Sequence, residues 1–273
     1  MRKIVVTLAP VASKTPEGVV VPIDPLDPLE TAIDVISAAE ASASMVHLHV
    51  INQEGQISEG LSRFSKTLDY IREKSDIVIQ GSTGGLSSLS REERCVAIED
   101  ARVEVASLNM GSVNKGNEVS INKLPDIRYW AKRMHEKNIR PELEIFEAGM
   151  INNVLLLAEE GLIKPPFYFN FALVTKGSQP VNVDNLFYLK NLLPDNSIWG
   201  FVHHNMQDLS LLATAIGMGA SVVRCGFEDS IYYAPGKKAT RNVELVKRVV
   251  KMIRSMGLEV ATPIEAKEIL GIF

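Results

Sequence analysis

The amino-acid sequence predicts a closed (β/α)8 barrel, and three observations carry that prediction. Eight short runs rich in β-branched and apolar residues are each followed by a longer segment with helical periodicity. Repeated βα units force parallel strands joined by right-handed crossovers. The 273 residues also match the ~250 typical of such a barrel. An open doubly wound sheet fits less well, because no GxGxxG follows the first run. No Pro/Gly/Ser-rich linker divides the chain, so residues 1–273 read as one barrel domain.

The runs expected as strands are Ile4–Leu8, Met45–Ile51, Ile77–Gln80, Val103–Leu108, Arg140–Phe146, Phe167–Leu173, Ile198–His203 and Ser221–Gly226. The helices expected to follow them are Pro28–Ala41, Ser62–Lys74, Arg91–Ala101, Leu124–Lys137, Ala148–Glu160, Asn182–Leu192, Asp208–Met218 and Arg241–Gly257. A last helix, Pro263–Leu270, closes the chain. The clearest apolar stripes are Phe64, Leu68 and Ile71 on the second helix, and Val243, Val246, Val249, Val250 and Ile253 on the eighth. Met218, Met252 and Met256 read as core filler.

Composition narrows the function classes. The chain is 46% hydrophobic and carries 33 acidic against 29 basic side chains, a net charge of −4. A disordered chain holds fewer apolar residues, and a nucleic-acid binder relying on phosphate contacts is normally basic. Cys95 and Cys225 lie far apart without CxxC spacing, which argues against a disulfide framework and suits a reducing cytoplasm. No signal-peptide core precedes the first run. The most apolar stretch, 209–223, is interrupted by Gly217 and Gly219 and is shorter than the ~18–20 residues of a membrane span. A soluble protein with no membrane partner is expected.

Barrel enzymes do their chemistry where strands end. The second run ends Val46-His47-Leu48-His49-Val50, and alternation points both imidazoles into the barrel mouth. Two such nitrogens can ligate one divalent metal, and zinc suits them. The eighth run ends Arg224-Cys225-Gly226-Phe227-Glu228-Asp229. Strands eight, one and two are neighbours in a closed barrel, so Glu228 or Asp229 can reach the same mouth. Two histidines and a carboxylate with one open position form a catalytic metal set.

Further candidates end other strands. The Ser82-Thr83-Gly84-Gly85 turn offers hydroxyls and approachable N–H groups to an oxyanion or a substrate carboxylate. Ser107 and Asn109 end the fourth strand on one side and are expected to face the same mouth as substrate-binding residues, while Glu142 and Glu144 both point inward on the fifth. Glu144, nearer the strand end, is expected to orient a metal-bound histidine.

These motifs occur in one order: HLH on strand two, Ser82–Gly85 after strand three, Ser107–Ser112 after strand four, Pro141–Phe146 on strand five and Arg224–Asp229 on strand eight. Together with the terminal segment Ala261–Leu270, the chain resembles the β-keto acid cleavage enzyme family, typified by 3-keto-5-aminohexanoate cleavage enzymes. The resemblance implies a zinc-dependent barrel that condenses a β-keto acid with acetyl-CoA to give acetoacetate and a new CoA thioester. It implies His47, His49 and Glu228 as zinc ligands, Asp229 as the base and Arg224 as its support. A homo-oligomer, a tetramer, is implied too. A histidine near the end of strand seven is usual, and His204 matches it better than His203. The family's amino-hexanoate type carries a glutamate in its first loop, whereas this chain reads Ala9-Pro10-Val11-Ala12-Ser13-Lys14. Lys14 would favour an anionic or polar substrate tail over a cationic one. The Thr175–Pro180 segment differs from the glycine-rich loop common after strand six.

Two other readings compete. A zinc-dependent hydrolase or lyase acting on a small carboxylate would also use HxH, yet strands five and six lack the further histidines of such hydrolases. A metal-bound, non-catalytic barrel is the third.

Overall fold

The structure, a computed structural model, describes residues 1–11, 23–51, 60–84, 87–173 and 177–272. Eight parallel strands close into the expected barrel: β1 (Lys3–Leu8), β2 (Met45–Leu48), β3 (Val78–Gly81), β4 (Val105–Asn109), β5 (Arg140–Ile145), β6 (Tyr168–Phe171), β7 (Ile198–Val202) and β8 (Val222–Cys225). Each pairs with the next in sequence, and β8 returns to β1 through Val5↔Val222, Val6↔Val223, Thr7↔Arg224 and Leu8↔Cys225.

The helices are α1 (Pro28–Glu40), α2 (Ser62–Arg72), α3 (Arg91–Arg94), α4 (Leu124–Glu136), α5 (Gly149–Glu159), α6 (Val183–Asn191), α7 (Ser210–Gly217), α8 (Asn242–Ser255) and α9 (Pro263–Leu270). The expected stripe of α2 is buried through Phe64, Leu68 and Ile71. On α8 the buried face comprises Asn242, Leu245, Val246, Val249, Val250 and Ile253, so Leu245 takes the place expected for Val243. Met256 is exposed.

Alternation along the strands separates two apolar layers. Ile4, Val6, Leu8, Val46, Leu48 and Ile79 pack outward against the helices. Val5, Met45, Val78, Val105, Tyr168 and Val222 form a second cluster with Ala261, Ala266 and Leu270, so α9 closes the N-terminal end of the barrel. Higher in the interior, the same inward positions carry Thr7, His47, Gln80, Ser107, Glu142 and Arg224, all buried. The barrel is therefore apolar at its base and polar toward the ends of its strands.

Three features depart from the expected elements. The helix expected over Arg91–Ala101 stops at Arg94 and continues as a 3-10 turn, Val96–Glu99. A Ser90/Glu93 capping box starts it. Arg94 then turns inward, donating to Ile121 O at 2.7 Å and Asn122 Oδ1 at 2.5 Å. Two hairpins escape the βα pattern, Val113–Lys115 with Glu118–Ser120 and Tyr232–Ala234 with Lys237–Lys238. Each turns through a glycine at positive φ, Gly116 (66°) and Gly236 (71°). The second run also ends earlier than expected, leaving His49 just beyond β2.

Candidate active site at the barrel mouth

Strand β2 carries His47 into the interior, where it is buried. Its direct neighbour in register on β3 is Gln80, whose Oε1 lies 2.7 Å from His47 Nδ1. Because an amide oxygen only accepts, this bond places the ring proton on Nδ1 and leaves Nε2 as a lone-pair donor. Nε2 of His47 faces Nε2 of His49 at 3.3 Å, with the two rings nearly perpendicular at 78°. Glu228 Oε1 completes the cluster, 3.2 Å from His49 Nε2 and 3.7 Å from His47 Nε2. Burial, reinforced by the Arg224 guanidinium, pushes the His47 imidazole down to about 3 and keeps it neutral.

The segment after β8 delivers the carboxylates. Gly226 has φ +145°, and a Cβ there would lie 2.0 Å from Ala9 O. Only glycine lets the chain pass so close to the end of β1. The chain then coils on itself, with Asp229 N and Ser230 N donating to Gly226 O at 2.9 and 2.8 Å. Glu228 and Asp229 consequently project to the same side as Arg224.

Arg224 is the hub. Its Nε donates to Asp229 Oδ2 at 2.8 Å, and its Nη2 donates to Asp229 Oδ1 at 3.0 Å and to Glu228 Oε1 at 2.5 Å. Glu144 Oε1 stands 3.6 Å from Nη1. Burial is the largest single influence on the Glu228 and Asp229 carboxyls and would raise both, but Arg224 acting together with His49 and His47 holds Glu228 well below the usual range, and Arg224 with His204 holds Asp229 below its ordinary value. Burial would likewise lower Arg224, and Asp229, Glu228 and Glu144 instead raise it well above its ordinary value. Glu144 goes the other way: burial outweighs Arg224 and pushes it up to about 7. The site thus keeps Asp229 ionised, while Glu144 titrates at about 7.

Glu144 does not do what its position on β5 suggests. The group against His47 Nδ1 is Gln80, and Glu144 contacts Arg224 instead, because β3 rather than β5 is the strand beside β2. His204 Nδ1 lies 3.7 Å from Asp229 Oδ1, whereas His203 is buried with Nε2 2.6 Å from Asp208 O. Of the two histidines, His204 is therefore the one at the carboxylates.

The Ser82–Gly84 turn is braced from β4. Thr83 N donates to Ser107 Oγ at 3.2 Å, and Thr83 Oγ1 donates to Ser107 O. Ser82 Oγ accepts from Gly84 N at 3.1 Å. Ser107 is thus committed to holding the turn. Asn109 Nδ2 stands 3.7 Å from where a Gly84 Cβ would lie, so Gly84 leaves room beside it. Gly85 and Lys14 lie outside the described residues, as do residues 175 and 176 of the loop after β6.

The cluster can take one proton on an ionised carboxylate beside a set of metal-type donors. Among the described residues, the ligand atoms of His47, His49 and Glu228 lie within 4.8 Å of one another. No helix of the described residues is long and apolar enough to cross a membrane.

A family profile described as beta-keto acid cleavage enzyme matches residues 3–272. A 3-keto-5-aminohexanoate cleavage enzyme of Fusobacterium nucleatum is 36% identical over 245 residues, 89% of each chain. A 3-oxoadipate:acetyl-CoA acetyltransferase of Cupriavidus necator is 32% identical over 257 residues, covering 92% of this chain and 89% of that one. Among solved structures, apo ObcA superposes with a TM-score of 0.73 at 18% identity, a likeness of fold that covers 91% of this chain and 65% of the ObcA chain's length.

Proposed function

The chain belongs to the beta-keto acid cleavage enzyme family, and from that premise we propose that it is an acyltransferase condensing a β-keto acid with acetyl-CoA to release acetoacetate and a new acyl-CoA. The names of its relatives, a keto-acid cleavage enzyme and an acetyl-CoA acetyltransferase, support the reaction class. The observation that carries the proposal is the Asp229 carboxylate, buried, held ionised by two bonds from Arg224 and one residue from Glu228.

His47, His49 and Glu228 fit a zinc ion. Two ligands each about 2.0–2.1 Å from one tetrahedral zinc stand about 3.3 Å apart, and the two Nε2 atoms are 3.3 Å apart. Among the described residues, Glu228 Oε2 and His49 Nδ1 are buried polar atoms without a hydrogen-bond partner. When bound there, zinc supplies a Lewis acid that acidifies the carbon between a ketone and a carboxylate.

The chain's own residues do the rest. Asp229 takes the proton from that carbon, and Arg224 keeps the carboxylate oriented. The resulting enolate carbon bonds to the acetyl carbonyl as the CoA thiolate leaves. The thiolate adds to the original ketone, and the carbon–carbon bond breaks to give the new thioester and the enolate of acetoacetate, which takes back the proton held by Asp229. The Ser82 hydroxyl and Asn109 are assigned as donors for oxyanion or carboxylate, while Thr83 and Gly84, whose N–H groups are bonded to Ser107 and Ser82, shape the turn, and Gly85 belongs to the same proposed set. Lys14 is assigned to the substrate tail, favouring polar or anionic keto acids.

The proposal extends to a cytoplasmic homo-oligomer, a tetramer by family resemblance. Free, buried Cys95 and Cys225 suit a reducing compartment. Exposed Val183, Phe187 and Tyr188 on α6 suit a subunit contact.

A coupled assay for acetoacetate, run with cationic, neutral and anionic β-keto acids, with and without acetyl-CoA and chelator, tests the reading. Acetoacetate should require acetyl-CoA and disappear with chelator. Turnover independent of acetyl-CoA would replace this reading with hydrolysis, and best rates on amino-bearing substrates would remove the role of Lys14.

A further inference from the structure

Asn242 opens α8 and is completely buried, yet the chemistry makes no use of it. Its amide makes three hydrogen bonds, using both N–H donors. Oδ1 accepts from Phe227 N at 2.8 Å, and Nδ2 donates to Pro10 O at 2.9 Å and to Asp34 Oδ2 at 2.8 Å. Two of these partners flank a further bond, Glu228 N to Ala9 O at 3.2 Å. Phe227 precedes Glu228 and Pro10 follows Ala9, so the bonds close a circuit: Asn242 to Phe227, along the chain to Glu228, across to Ala9, along to Pro10 and back to Asn242.

We infer that Asn242 is a positioning residue that sets the backbone of Glu228 and Asp229 by clamping the loop after β8 to the end of β1. The inference rests on the reading of Glu228 and Asp229 given above. Asn242 touches no reacting atom and works through the two carboxylates. Its reach is what qualifies it. An alanine leaves Phe227 N and Pro10 O, both in a buried setting, without their partner at once. An aspartate keeps an acceptor for Phe227 but turns carboxylate oxygen toward Pro10 O and Asp34. The third bond, to Asp34 of α1, adds the helix that follows β1 to the clamp.

Two readouts on Asn242→Ala decide the matter. In metal-free protein, amide exchange at Phe227 and at Glu228 should both quicken by about tenfold or more, because breaking one side of the circuit loosens the other. Zinc affinity, measured by competition with a chromophoric chelator, should weaken by roughly ten- to hundredfold. Where Asn242→Ala fails to fold, Asn242→Asp combined with Asp34→Asn is measured instead. That pair restores a donor opposite position 242 while leaving Pro10 O unpaired, so Glu228 exchange should still exceed wild type. Unchanged Glu228 exchange in the folded variant overturns the inference. A wild-type protein that binds no zinc counts against the metal reading alone, since the exchange measurement decides the role of Asn242 without metal.

Discussion

Gln80 Oε1 lies 2.7 Å from Nδ1 of His47, on the position of β3 directly paired with it. The bond fixes the imidazole tautomer that presents Nε2 to His49 and Glu228. Replacing the acceptor with an apolar side chain of similar size, Gln80→Leu, removes that orientation without adding charge. Zinc affinity should fall by roughly ten- to hundredfold, as it does when outer-shell partners of metal-bound histidines are lost. A chelator competition titration measures it, and an unchanged affinity would show that packing alone sets the ring.

Asp229→Asn keeps the size and a carbonyl acceptor for Arg224 but cannot take a proton. The turnover number for acetoacetate formation should drop by about 10²–10⁴, the usual contribution of a positioned base. Zinc content, read by atomic emission, should stay at the wild-type level because Asp229 lies outside the His47–His49–Glu228 set. An active Asp229→Asn protein would place the base elsewhere.

Much of this arrangement was legible in the chain because barrels obey simple rules. Eight β-branched runs foretold eight strands, and period-two alternation correctly sent His47, Ser107, Glu142 and Glu144 inward. What stayed hidden depends on which strands touch. Gln80 reads as an ordinary strand residue until the β2–β3 register sets it against His47. Glu144 looked like the partner of a histidine because alternation gives a face and no neighbour. Asn242, at the first turn of an amphipathic helix, carries no local signal at all, since its three partners come from segments up to 232 positions away. The two hairpins were missed for a plainer reason: strands of two or three residues are too short for periodicity to register, although Gly116 and Gly236 mark their turns.

Asp34 gives the fold a distinctive acid response. Burial pushes its carboxyl up to about 6 from 3.8, more than its bond from Asn242 and the charge of Arg241 bring it down. Below about pH 4 both folded and unfolded chains hold this proton, and the associated stability is fully present. As pH rises toward 6 the unfolded chain releases the proton first, so that stability is progressively lost, by about 3 kcal/mol in all. Asp34→Asn removes the term while Asn242 can still donate to the new amide oxygen. Relative to wild type, the variant should therefore gain stability between pH 4 and pH 7, seen as a pH-dependent difference in urea midpoints with chelator present. A constant difference across that range would contradict the burial argument.

Gly226 offers the sharpest test of how the loop after β8 is built. Its φ of +145° lies where side chains are essentially not found, and an added Cβ would meet Ala9 O at 2.0 Å and Ala9 C at 2.7 Å. Neither atom can move aside easily, because Ala9 N donates to Cys225 O at 2.9 Å and Ala9 O accepts from Glu228 N. Gly236, at φ +71° with nothing within 4 Å of an added Cβ, is the matched control. Gly236→Ala should lose only the left-handed penalty of about 1–2 kcal/mol and leave zinc affinity alone. Gly226→Ala adds displacement of backbone to strain, so its urea midpoint should fall further than that of the control. Since the displaced segment carries Glu228, its zinc affinity should fall as well. Equal behaviour of the two variants, in stability and in metal binding, would mean that contact with Ala9 does not set where the carboxylates stand.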